Sequence, residues 1–139
     1  MKTAKAGDSL IVRLEAGDDI LASLEAACHE HGIQNAEVTG IGSVESPTLA
    51  HYRKDTKHFT ERAFDGIYEI ISLTGNVGLV DGKPVAHCHI AISDDQMQVW
   101  GGHLKAGACS ATVELVVRRL DSDYSKQFDQ AIGLKLWRL

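Results

Sequence analysis

His87, His89 and His103 are spaced for metal chemistry. The first two lie two residues apart in a run of strand formers from Val85 to Ile92, and the third follows the pair Gly101-Gly102. Met97, Val99 and Trp100 make a second strand-like run, and Ser93-Asp94-Asp95-Gln96 between the runs reads as a turn. The segment from Pro84 to Lys105 therefore predicts a β-hairpin. Folded symmetrically about Asp95, the hairpin sets His87 opposite His103. Side chains alternate faces along a strand, which puts His89 on the face of His87 and turns Cys88 away. Three imidazoles then converge on one patch. Neutral imidazole is a good ligand for zinc or another divalent metal, and three of them leave a coordination position for water, a carboxylate or a ligand. The competing reading is a polar, solvated strand face. A register slip of one residue would favour it by moving His103 to the other side of the sheet.

Glu69 is the candidate proton acceptor. By strand alternation it shares a face with Ile67, Ile71 and Leu73, and a carboxylate on an apolar face needs a partner or carries a raised pKa. The Asp81-Gly82 pair is a two-residue hairpin signal. Its register sets Asn76 beside His87 and Thr74 beside His89, and turns Glu69 away from the histidines unless Gly75 or Gly78 introduces a bulge. Cys28, Cys88 and Cys109 are odd in number and irregular in spacing, which predicts three buried thiols and no disulfide framework.

The elements that must position these residues follow from pattern. Ser9 to Leu14 alternates like a half-buried strand. After Gly17, apolar residues recur at helical spacing from Ile20, with Asp18 as N-cap and Gly32 as stop, predicting one principal helix over about residues 18–31. His29 and His31 fall in its last turn, where the helix dipole welcomes them. Ala36 to Tyr52 reads as two strands meeting at Ser46-Pro47. Gly40 and Gly42 inside it mark a bulge or the close approach of another backbone, a neighbouring subunit's among them. Arg53 to Asp65 reads as an exposed connection or short irregular strand, and Ile67 to Val80 as a long strand. Ala111 to Leu120 reads as a buried strand, Asp121 to Gln130 as a turn or short helix, and Gly133 to Leu139 as a last strand whose Trp137 covers an edge or a partner. The class is α+β, one domain over residues 1–139, mainly antiparallel sheet.

Composition narrows the functions. The chain has 139 residues, 44% hydrophobic and 24% charged, enough for a core of its own. A net charge of −5 argues against the broad phosphate neutralisation that nucleic-acid binding requires. Met1 to Asp8 lacks the apolar centre of a signal peptide and no later run approaches a membrane span, so a soluble, cytoplasmic protein is expected.

Five blocks in order, Val12 to Ile20, Val38 to Val44, Gly66 to Gly75, Pro84 to Ile92 and Gly101 to Leu104, resemble the plants and prokaryotes conserved domain (PPC domain, DUF296) over about residues 9–120. That family is best known from plant AT-hook nuclear proteins and also stands alone in bacteria and archaea. The resemblance implies an antiparallel α+β fold, a homotrimer, and a metal, zinc first, on His87, His89 and His103. DNA association also follows from the family's label, although the chain carries no AT-hook. Three functions compete: a metal- or ligand-binding module of regulatory role, with a small carboxylate as candidate ligand; an enzyme whose His-held metal activates water, with Glu69 as base; and a DNA-associated protein.

Overall fold

The structure, a computed structural model, describes residues 1–139. Nine strands and one helix follow in order: β1 Lys2–Ala6, β2 Ser9–Glu15, α1 Ile20–Glu30, β3 Ala36–Arg53, β4 His58–Ala63, β5 Ile67–Val80, β6 Lys83–Ser93, β7 Val99–Arg119, β8 Lys126–Asp129 and β9 Leu134–Trp137. The first seven strands make one antiparallel sheet. Because β7 pairs with β6 through its first residues and with β3 along much of its length, the strands β3, β5, β6 and β7 close into a ring of pairings. Inward side chains of that ring, including Val38, Leu73, Val77, Ile90, Ile92, Leu104 and Leu115, are buried with Leu10, Val12 and Leu14 of β2 and with Ile20 and Leu24 of α1. Each such aliphatic side chain contributes roughly 1.5–3 kcal/mol by leaving water.

The α+β class and the single principal helix hold. Several local expectations change. Asp19 caps the helix, with Oδ1 accepting from the amide of Ala22 at 2.8 Å. Asp18 instead accepts from the amide of Glu15 at 2.9 Å and pairs with the N-terminal ammonium at 2.8 Å. These contacts tie down residues 2–6, which form a strand with no clear pattern in the sequence. Ala36–Arg53 is one strand that bends at Ser46, whose φ is 47°, and Val99–Arg119 is likewise continuous. The stretch read as a turn or short helix before Gln130 contains β8.

The glycine reading finds its partner inside the chain. A Cβ on Gly42, where φ is +146°, would overlap the Thr112 carbonyl oxygen and stand 2.7 Å from Val113 Cα, both on β7. Close packing of β3 on β7, together with a register shift between Gly40 and Gly42 in the pairing of β3 with β5, explains both glycines without a neighbouring subunit.

Candidate metal centre

β6 and β7 bring the three histidines together, with one change of register. His89, not His87, lies opposite His103. The turn is recentred because the Asp94 carboxylate accepts from the amides of Gln96 and Gln98, at 3.0 and 2.9 Å, while Met97 takes φ of 63°. A shift of two residues leaves alternation intact, so all three rings still share a face. β5 supports them from the other side in the expected register, Asn76 beside His87 and Thr74 beside His89, through an Asp81-Gly82 turn with both residues at positive φ.

Ring centroids stand 5.3 Å apart for His87 and His89, 5.0 Å for His87 and His103, and 5.6 Å for His89 and His103. One nitrogen from each ring lies within 4.8 Å of the others. At zinc–nitrogen bonds of about 2.0–2.1 Å a tetrahedral centre needs nitrogens about 3.4 Å apart, a closure of at most about 1.4 Å from this arrangement. His103 Nδ1 is buried without a hydrogen-bond partner, as suits a nitrogen reserved for a ligand. The donor set of three imidazoles fits a divalent ion of zinc type.

Burial and neighbouring charge favour the neutral form of two of these rings. Partial burial first, then the charges of His87, His89 and Lys105, push His103 down to about 4. Burial lowers His87 as well, with Lys126 and His89 adding to it. Neutral rings have lone pairs free for coordination.

The histidines open onto a cleft of about 790 Å³ whose far wall is the β8–β9 hairpin. That hairpin is fastened at several points. Tyr52 donates its hydroxyl to the Ile132 carbonyl, Lys57 Nζ reaches the Gln130 carbonyl at 2.8 Å, and Asn35 Nδ2 donates to the carbonyls of Ser122 and Tyr124 at 2.8 and 3.0 Å. At the opposite side Lys126 donates to Asn76 Oδ1, and the Trp137 ring lies over Gly78, where a Cβ would meet it at 2.6 Å.

Glu69 does not join the histidines. It is exposed, pairs with Ser93 and lies five residues along β5 from Thr74, roughly 16 Å at the rise of a strand. The bulge that alters its alternation falls at Ile71 rather than at Gly75 or Gly78. The same bulge separates Leu73, which is buried, from Ile67 and Ile71, which are exposed. Cys28, Cys88 and Cys109 are free and buried, and burial pushes the Cys28 and Cys88 thiols up to about 12. The cleft residues Phe59, Lys126, Phe128 and Leu136 escaped the sequence reading because they are remote along the chain. One signal pointed to them: Gly78, a glycine within a strand, is where Trp137 makes its close approach.

Residues 1–121 match the Plants and Prokaryotes Conserved domain. The chain is 30% identical over 125 residues to a Synechococcus protein named bifunctional protein GlmU, covering 88% of this chain and 19% of that one. It thus spans about a fifth of the length of the curated relatives it matches. A candidate DNA-binding protein from Bacteroides thetaiotaomicron superposes with TM-score 0.93 at 27% identity, covering 99% of this chain and 96% of that one. A metal-containing protein from Archaeoglobus fulgidus superposes with TM-score 0.88 at 31% identity, covering 97% and 96%.

Proposed function

Since the chain belongs to the family of the Plants and Prokaryotes Conserved domain, we propose that it is a homotrimeric module holding a divalent metal, zinc first, on His87, His89 and His103. In this reading residues 1–139 act as one domain, in the cytoplasm, with a regulatory or small-ligand-binding role and a small carboxylate as candidate ligand. The observation that carries it is the convergence of three imidazole nitrogens within 4.8 Å of one another. The metal-containing description of the Archaeoglobus protein supports it at 31% identity. Zinc would supply a Lewis-acidic centre able to bind an anion; His87, His89 and His103 would hold it, and β5 would keep their strand in register.

Support for self-association comes from the open face of the sheet. Ile11, Ile41, Ile71 and Val116 are exposed there around a shallow groove of about 560 Å³, an arrangement common at protein–protein contacts. No helix is long and apolar enough to cross a membrane.

Binding ranks above hydrolysis because none of the residues lining the cleft is Asp or Glu, which leaves no carboxylate beside the triad to take a proton from water. DNA association, which the Bacteroides protein's description raises, ranks third on the net charge of −5.

The test is metal content per chain by mass spectrometry of the purified protein beside a His87→Ala/His103→Ala variant, with oligomer mass recorded for both. The reading expects near-stoichiometric zinc in a trimer of the parent chain and none in the variant. A metal-free parent, even after reconstitution, overturns the metal; a monomer overturns the assembly.

A further inference from the structure

We infer that the cleft between the histidines and the β8–β9 hairpin binds an organic monocarboxylate with an apolar or aromatic body, anchored at its charged end by Lys126 and selected along its body by Phe59, Phe128 and Leu136. This deepens the proposed function and rests on it for one contact only, that between carboxylate and metal. The Lys126 contact stands on this chain alone.

Charge balance is the first argument. The cleft wall contains Lys105, Lys126 and Lys135 together with His51 and the three triad histidines, and no acidic residue. Lys105 has an acid of its own, Glu61 at 3.4 Å. Lys126 has none. It is 6% exposed, its ammonium donates to the neutral Asn76 Oδ1, and it lies 5.0 Å from the centre of the Trp137 ring. An amide oxygen and a π face position an ammonium without neutralising it. A buried cation so placed is costly unless an anion reaches it. Lys126 lines the cleft together with His87 and His89, and its partner Asn76 is the cross-strand neighbour of His87, so an anion in the cleft can reach both the ammonium and the triad.

Shape and head group follow. A volume of about 790 Å³ is ample for a small molecule, and half the lining is apolar, with Phe59 contributed by the sheet and Phe128 and Leu136 by the hairpin. Phe128 is 62% exposed and Leu136 39%, apolar surface that a ligand body would cover. A phosphate is commonly held by arginine forks or clustered backbone amides, with lysine as an added point charge. No arginine lines the cleft, and α1 contributes nothing to it. One ammonium beside one metal suits the two oxygens of a carboxylate.

The experiment is isothermal titration of zinc-loaded protein with 3-phenylpropanoate, acetate and the uncharged 3-phenylpropan-1-ol, with zinc content measured on every sample. 3-Phenylpropanoate should bind at least about tenfold more tightly than either comparator. Lys126→Met should lose at least about tenfold for the carboxylate while keeping its zinc. Phe128→Ala, at an exposed position that does not threaten folding, should bring 3-phenylpropanoate down toward acetate. If Lys126→Met fails to fold by circular dichroism, the Phe128→Ala ratio decides alone. A zinc-loaded parent that ignores carboxylates, or variants that bind like the parent, overturns the inference. A parent that takes up no zinc overturns the metal reading instead, and the same titrations on that protein still decide the role of Lys126.

Discussion

Acidification of the metal-free protein should destabilise it through His103. The folded chain holds this ring at about 4 against 6.5 for a free histidine, chiefly by burial and then by the charges of His87, His89 and Lys105. The unfolded chain therefore takes up the proton first. The stability in question is complete above about pH 6.5, declines as the pH falls, and is exhausted below about 4. At about 1.4 kcal/mol per pH unit that interval sets a ceiling of about 3.4 kcal/mol. His103 is partly solvated at the cleft, and screening reduces the expected loss to about 1–2 kcal/mol. Urea unfolding with a chelator present, at steps from about pH 7.5 to about 4, compared with His103→Asn, isolates the effect. Carboxylates such as Glu15 and Asp18, lowered by their own hydrogen bonds, titrate in both proteins and cancel in the difference. The parent should lose about 1–2 kcal/mol relative to the variant across that range. A difference that stays flat, or that grows in the parent's favour on acidification, would refute the placement of His103 in a desolvated, positively charged surround.

Gly42→Ala should cost about 3–5 kcal/mol in chemical denaturation, combining left-handed strain with collision against β7. Asp19→Ala should cost about 1 kcal/mol by removing the helix cap, and Asp18→Ala should leave the helix capped; thermal melts followed by circular dichroism distinguish them. An Ile41→Lys/Ile71→Lys variant should run as a smaller species than the parent by light scattering, since both isoleucines are exposed on the face proposed for self-association. The parent should fail to retain duplex DNA at low ionic strength in a mobility-shift assay, and retention that falls steeply with salt would restore the nucleic-acid reading.

The triad was legible because it depends on alternation, which local pattern states directly. His87, His89 and His103 stay on one face although the pairing register shifts by two residues. The exact pairing was not legible, since it depends on the Asp94 carboxylate taking two turn amides. The Asp81-Gly82 turn and its register were read correctly because two residues with positive φ leave the chain little choice. Glu69 shows the opposite case. An extra residue at Ile71 shifts every side chain beyond it, and nothing in Ile70-Ile71-Ser72 announces a bulge. Lys126 lies 37 to 39 positions from the β6 histidines and in a polar stretch. Only packing of the C-terminal hairpin, through Tyr52, Asn76 and Gly78, brings it to them.

The ring of pairings has an uneven seam. β6 and β7 share five paired positions, from His89 and His103 to Ser93 and Val99, whereas β5 and β6 are paired along nearly their full lengths. Where the ladder between β6 and β7 is shortest, local opening costs least, and amide exchange should be fastest there among the ring's ladders. The three imidazoles bridge the end of this seam, two on one strand and one on the other. An ion grasped by all three would act as a rivet across it, slowing exchange along Ile90 to Ser93 and Val99 to Gly102 and prolonging the lifetime of the closed ring.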